Sequence, residues 1–146
     1  MHKIQSTISF ETAHRLFDVA TYSEECRDNV HGHSYYVTVQ VGRSELNESG
    51  MVMDFKLFKK ILKSTIEDVY DHACILKLDD PLVKAMRENC KKVVVVTSNP
   101  TAEWMSLHFA SLIQCQLDLI DDQLQVVSVA VQETERNIAI FEPEVE

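Results

Sequence analysis

The sequence contains only 3 glycines and 3 prolines among its 146 residues, so long flexible linkers are not expected. No stretch approaches the roughly 20 apolar residues that a membrane-spanning helix needs. The opening segment MHKIQSTISFE also lacks the apolar run that is typical of a signal peptide. Apolar residues make up 45% and charged residues 25% of the chain, as in ordinary globular proteins. We therefore expect one domain over residues 1–146, located in the cytoplasm.

Positive charge is scarce as well. The chain has 14 lysines and arginines against 23 acidic residues, which leaves a formal net charge of −9. A protein that binds nucleic acid needs lysines and arginines to neutralise phosphates, so neither a nucleic acid nor a membrane is an expected partner. A small basic pocket for one anionic molecule stays compatible with this balance.

The 4 cysteines contain no CxxC pair, and in the cytoplasm they are expected to be reduced thiols. Disulfides therefore do not hold the fold. Cys26 stands apart because it lies five residues before His31, a candidate metal ligand. A metal cation near the thiol would favour its thiolate form, which could serve as a base or nucleophile. A buried small residue is the alternative, and the neighbouring Glu24 and Glu25 oppose thiolate formation.

Alternation of apolar and polar residues predicts the strands. In the second strand, Tyr35, Val37, Val39 and Val41 share one face. In the last strand, the residues expected to face one way are Val127, Val129, Val131 and Glu133. A loop rich in polar residues, 15–30, separates the first two strands. The predicted strands cover 3–11, 34–41, 93–97 and 125–133, with 137–141 as a short continuation.

Helical spacing of apolar residues predicts two helices. Asp54 can cap the first, whose apolar stripe covers 58–69. The second begins at Asn99-Pro100, because proline suits the first helical position, and it reaches Ile120. Four strands and two long helices indicate a two-layer α+β domain with both helices on one sheet face. The other face then needs a cover, for which a second copy of the protein is the simplest candidate.

Three histidines meet at one point if the first two strands pair. His31 and His33 are two residues apart at the start of a strand, so their imidazoles point to the same side, and His14 follows the end of the first strand. Three neutral imidazoles with an open fourth position are what a catalytic zinc site requires. A structural histidine pair is the alternative that the HxH pattern leaves open. On its own, His72 after Asp71 indicates only a helix-terminus or surface role.

Six segments together resemble, in order, the signature segments of the 6-pyruvoyl-tetrahydropterin synthase and 6-carboxytetrahydropterin synthase family. They span about residues 8 to 141. The resemblance implies a tunnelling fold, with a four-stranded antiparallel sheet and two helices on one face. It also implies trimers that close a twelve-stranded barrel, and a homohexamer of two trimers with active sites between subunits. The segments are FETAHRL, C-x4-HGHSY, GMVMDF, DHACIL, NPTAEW and QETERNIAIF.

Residue roles also follow from the resemblance. Glu133 would anchor the amino-pyrimidine edge of a pterin, and Glu103 would help to shape that pocket. Taken alone, the two are a charged strand-end residue and a first-turn glutamate that the helix dipole favours. The implied Zn²⁺ ligands are His14, His31 and His33, the implied catalytic residues are Cys26, Asp71 and His72, and the implied substrate-binding residues are Glu133 and Glu103.

The implied activity is that of a zinc-dependent lyase acting on 7,8-dihydroneopterin triphosphate. We favour the branch that forms 6-carboxytetrahydropterin for queuosine-type biosynthesis, with the 6-pyruvoyl branch and a glutamate-using, 6-hydroxymethyl-dihydropterin-forming branch as alternatives. Four residues separate Cys26 from His31, between the three and five of the first two branches, and Glu24 or Glu25 could be the base. Arg15 and Arg136 are candidate triphosphate ligands. The alternatives of another class are a non-catalytic pterin- or metal-binding relative and an unrelated protein with a structural zinc.

Overall fold

The computed structural model describes residues 1–20 and 23–144. Within these residues the chain forms one mixed sheet and a set of helices, of which none has the length and apolar character to cross a membrane. The strands are β1 (His2–His14), β2 (His31–Arg43), β3 (Cys74–Lys77), β4 (Val93–Val96), β5 (Gln125–Gln132) and β6 (Ile138–Phe141). The helices are α1 (Glu24–Asp28), α2 (Phe55–Leu62), α3 (Asp68–Tyr70), α4 (Leu82–Asn89) and α5 (Ala102–Asp118), and a π-helical turn (Lys63–Glu67) joins α2 to α3.

The described sheet has six strands in the order β4-β3-β1-β2-β5-β6, so the prediction of four strands was wrong. In the antiparallel part, β1, β2 and β5 match predicted strands, and β6 matches the short continuation predicted over 137–141. The strand predicted over 93–97 is present as β4, outside this antiparallel part. The sequence pattern missed β3, a run of only four residues that pairs in parallel with β1 at Ala13 and His14. β4 then pairs in parallel with β3, which makes the sheet mixed.

One face of the sheet carries the core. The predicted alternation in β2 is confirmed, because Tyr35, Val37, Val39 and Val41 are fully buried. Buried residues of α2 and α5, such as Phe58 and Phe109, pack with them in one hydrophobic cluster. The alternate residues of β1 are exposed on the opposite face. Both long helices therefore cover one face, as predicted, and the other face is open in the single chain.

In β5, by contrast, the prediction that Val127 shares a face with Val129 and Val131 was wrong. The pairing register with β2 shifts between Gln40 and Val41, whose partners are Ser128 and Val126. Val127 is the extra residue of this bulge, so Val126 takes the buried position in its place.

The helix starts follow local capping chemistry. Asp54 caps α2 as predicted, and its carboxylate accepts the backbone N–H groups of Lys56 and Leu57 at 2.8 and 3.0 Å. The predicted start of the second long helix was wrong by two residues, because Thr101 is the N-cap of α5 and accepts Trp104 N–H. Pro100 therefore lies outside the helix. The loop predicted over 15–30 also contains α1.

Candidate metal centre and adjoining pockets

The register between β1 and β2 brings the three histidines together. His14 lies directly opposite His31, and Thr12 lies opposite His33. Since alternate residues of a strand share a face, the three imidazoles project from the same side of the sheet, next to the buried Tyr35. Both strands are longer than predicted and include the histidines, which places them on paired backbone rather than on flanking loops.

The ring nitrogens of the three histidines converge. One nitrogen from each residue lies within 4.8 Å of the others, and the Nε2 atoms of His14 and His31 are 3.1 Å apart. The Nδ1 of His14 lies 2.8 Å from the carbonyl oxygen of Pro100, and the Nδ1 of His31 lies 2.9 Å from that of Asn29. A carbonyl oxygen only accepts, so each Nδ1 carries the hydrogen and each Nε2 presents a lone pair. Two lone pairs that face each other at this distance could both bind one metal cation.

The environment favours the neutral form of His14 and His33. Burial lowers the pKa of His14 to about 4, against the opposing effect of its hydrogen bond to Pro100. Burial also lowers the pKa of His33, against the attraction of Glu133. The Nε2 of His33 is buried without a hydrogen-bond partner, and such orphaned atoms are rare unless an ion or water satisfies them. Neutral imidazole is the form that binds metals, so the residues present fit a divalent cation.

Tyr35 belongs to this site, although the sequence pattern marked it only as a core residue. Its hydroxyl lies 3.3 Å from the Nδ1 of His14, and its ring contacts the rings of His14 and His33. Burial raises the pKa of Tyr35, so the hydroxyl stays protonated. The signal that could have found it is its position in the strand: it is the next residue after His31 and His33 on the same face.

Glu133 connects the triad to a pocket. It follows β5 directly, and its Oε1 lies 3.5 Å from the Nε2 of His33. Glu133 and Glu103, the second residue of α5, line one open cavity of about 480 Å³ together with Arg136. The structure thus brings both predicted substrate-binding glutamates to one cavity beside the histidines.

Asp71 and His72 form a hydrogen-bonded pair just after α3. His72 Nδ1 donates to Asp71 Oδ2 at 2.8 Å, while Asp71 Oδ1 accepts the backbone N–H of Glu11 at 2.9 Å. The backbone hydrogen bond from Glu11, and then that from His72, lower the pKa of the Asp71 carboxyl. The His72 side chain is 79% exposed. It lines a shallow pocket of about 370 Å³ that His33 also lines.

Cys26 lies in α1, which is attached beside the end of β1. Leu16 N–H donates to the Cys26 carbonyl at 3.2 Å, and Arg15 Nη1 donates to that of Asp28 at 3.3 Å. The Cys26 thiol is half-buried, while Glu24 is exposed. In the part of the chain that the structure describes, no hydrogen bond joins this thiol to the triad.

The two arginines named as candidate triphosphate ligands, Arg15 and Arg136, differ in the groups that surround them. Arg15 forms a two-pronged ion pair with the buried carboxylate of Asp80, which the sequence pattern did not single out, with Nε to Oδ2 at 2.7 Å and Nη2 to Oδ1. Its charge is therefore already compensated within the fold. Arg136 lines the same cavity as Glu133 and Glu103.

The chain combines an α+β fold with three histidines that could hold a metal ion, and comparison with known proteins identifies the family. The family model described as 6-pyruvoyl tetrahydropterin synthase matches residues 3–144. The chain belongs to this family.

Individual proteins of similar sequence or structure support this family assignment. A 6-carboxy-5,6,7,8-tetrahydropterin synthase from Rickettsia conorii is 31% identical over 136 residues, covering 92% of this chain and 95% of that protein. Among solved structures, an uncharacterised protein from Wolinella succinogenes superposes with a TM-score of 0.83 at 23% identity, over 98% of both chains. A Plasmodium vivax 6-pyruvoyltetrahydropterin synthase, in which a catalytic glutamate is replaced by alanine, has a TM-score of 0.71 at 18% identity, over 99% of this chain and 100% of that chain. These structures share the tunnelling fold.

Proposed function

We propose that this protein is a zinc-dependent lyase that converts 7,8-dihydroneopterin triphosphate to 6-carboxy-5,6,7,8-tetrahydropterin. The observation that carries the proposal is the convergence of three imidazoles beside Glu133 and its cavity. The name of the Rickettsia relative supports this product.

His14, His31 and His33 would hold the metal ion, and Tyr35 packs against two of their rings. Imidazole ligands suit zinc, and three of them leave a position open for substrate. When bound, zinc would polarise and acidify the side-chain hydroxyls of the pterin. Glu133 would accept two hydrogen bonds from the ring N–H and the amino group of the pterin, with Glu103 in the same cavity.

Proton transfer is assigned to Cys26 and His72. The Cys26 thiolate would remove a proton from the substrate side chain. Because the Nδ1 of His72 donates to Asp71, its Nε2 is left to accept and return protons. Elimination of triphosphate breaks a carbon–oxygen bond. Addition of water to the side-chain carbon next to the ring and cleavage of the following carbon–carbon bond would then leave the carboxylate and release the other two carbons as an aldehyde.

We further propose the homohexamer, a dimer of trimers with active sites between subunits. Within the described residues, β1 pairs with β3 only at Ala13 and His14, so most of its edge opposite β2 has no partner in the single chain. β6 is an end strand of the described sheet, with β4 at the opposite end, so the outer edge of β6 has no partner there either. Two unpaired edges and an open sheet face suit a barrel closed by further copies.

The test is to incubate zinc-loaded protein with 7,8-dihydroneopterin triphosphate and to identify the product by mass. We expect 6-carboxytetrahydropterin. No consumption of substrate would refute the lyase and favour a non-catalytic pterin- or metal-binding protein, and a 6-pyruvoyl or 6-hydroxymethyl product would assign the chain to another branch.

The glutamate-using branch is the second candidate because Glu24 and Glu25 directly precede Cys26 on the same helix, α1. A catalytic glutamate is also a feature of the Plasmodium vivax protein. We expect Cys26→Ala to abolish turnover and to retain one zinc equivalent, because the thiol is not a predicted ligand. The matched controls E24Q and E25Q should keep turnover; a near-normal C26A together with an inactive glutamate variant would move the base to that glutamate.

A further inference from the structure

The segment that leads to Asp71 and His72 has an irregular backbone. The helix that begins at α2 passes through the π-helical turn Lys63–Glu67, and α3 then ends at Tyr70. His72 adopts a left-handed conformation with φ of 58°. This conformation is unfavourable for any residue that has a Cβ atom, so other contacts must hold the turn in place.

The last carbonyl groups of a helix have no partner within the helix, and here two of them have a side-chain donor. Lys92 Nζ donates to the carbonyl oxygen of Asp68 at 2.8 Å and to that of Asp71 at 2.6 Å. The side chain of Lys92, which directly precedes β4, is half-buried, and its own carbonyl accepts Cys74 N–H at 3.0 Å. Lys92 thus contacts the chain on both sides of the His72 turn.

Asp71 is held at three points as a result. Its carbonyl binds Lys92, its Oδ1 accepts Glu11 N–H, and its Oδ2 accepts the His72 ring. His72 N–H completes the connection to β1 by donating to the Glu11 carbonyl at 2.6 Å. Loss of the ammonium group would leave two carbonyls without their partner and free the turn to relax toward right-handed φ values.

We infer that Lys92 is a positioning residue for the Asp71–His72 pair: its ammonium group binds the carbonyls of Asp68 and Asp71 and fixes the left-handed turn from which the His72 ring projects. The inference rests on the proton-transfer role proposed above for His72. Lys92 itself does not contact the histidine triad among the described hydrogen bonds and ion pairs, so its effect acts through the turn.

The test uses Lys92→Met, which keeps the aliphatic stem and removes the ammonium group, with K92R as the conservative variant and K91M as the matched control at the exposed neighbouring position. The first measurement is hydrogen exchange of the His72 and Glu11 amides, which needs no substrate. In K92M we expect exchange at least about ten times faster at these two amides and unchanged exchange at the central strand residue Val37. K92R should restore most of the protection, and K91M should match the wild type.

The second measurement is kinetic. We expect K92M to lower kcat at least about tenfold while KM for the pterin and the bound zinc equivalent stay unchanged, because the described hydrogen bonds and ion pairs of Lys92 include none to Glu133 or to the triad. Wild-type exchange at His72 in K92M, a uniform loss of protection including Val37, or an unchanged kcat would each overturn the inference. If the wild type does not turn over the substrate, the proposed function fails, and the exchange measurement still decides the role of Lys92 in the turn.

Discussion

Replacing Asp80 with alanine should destabilise the protein far more than the replacement of its neighbour Asp79. The Asp80 side chain is 0% exposed and accepts Arg15 Nε and Nη2, together with the backbone N–H of Leu82 at the start of α4. D80A therefore removes the partner of a largely buried guanidinium group and leaves a backbone donor without its acceptor.

The magnitude follows from the burial of the pair. Removing one partner of a buried ion pair costs about 3–5 kcal/mol. Arg15 retains 13% exposure and its bond to the Asp28 carbonyl, so some hydration is available and we expect about 3 kcal/mol. Asp79 is 63% exposed and 3.4 Å from Lys77, so D79A should cost less than about 1 kcal/mol. The total stability of a domain is only about 5–15 kcal/mol.

Urea unfolding of the metal-free proteins measures these differences. D80N separates the two contributions, because its amide oxygen can still accept Leu82 N–H while the negative charge is lost. The double variant R15M/D80L should recover much of the loss, since it removes both charges and keeps apolar volume. Equal free energies of unfolding for D80A and D79A would refute the reasoning. Because Arg15 directly follows His14, D80A should also weaken zinc binding in a chelator competition.

Two further predictions concern histidines. His31→Ala should lose the bound zinc equivalent, measured by elemental analysis, whereas the exposed H2A should keep it; full retention in H31A would remove His31 from the ligand set. His108 stacks on Trp104 at 4.5 Å, and its Nε2 lies 3.2 Å from the Tyr70 hydroxyl. Burial lowers the pKa of His108 below its ordinary 6.5, so the folded state favours the neutral ring. As the pH falls below about 6.5, the unfolded chain binds a proton at His108 more readily than the folded chain does, and the folded state loses stability. The free energy of unfolding should therefore fall less steeply with acid in H108Q than in the wild type, and equal slopes would contradict this account.

Much of the candidate metal centre could be predicted because strand periodicity is local. The HxH spacing already places His31 and His33 on one face, and His14 needs only the pairing of two strands. Tyr35 was missed as a site residue because its burial satisfies a core pattern equally well. The partner of His14, the Pro100 carbonyl, is 86 residues away in the chain, and a proline before a helix carries no signal that its carbonyl will accept from a histidine.

In the sheet, too, some features follow from local alternation and others depend on distant strands. The faces of β1 and β2 follow from alternation, whereas β3 is too short for periodicity to separate it from a loop. The bulge in β5 reverses the burial of Val126 and Val127 because the pairing register depends on β2, not on the residues of β5 themselves.

By itself, the sequence determined the properties that neighbouring residues control: the buried faces of two strands, the Asp54 cap, the convergence of His31 and His33, and the ordered segments that identify the family. Only the tertiary structure decided which nitrogen of His14 and His31 points inward. It also decided that Arg15 is already paired with Asp80 and that Lys92 binds the turn before His72. Those outcomes depend on hydrogen bonds between distant segments, whose partners are chosen by packing and strand register rather than by local preference.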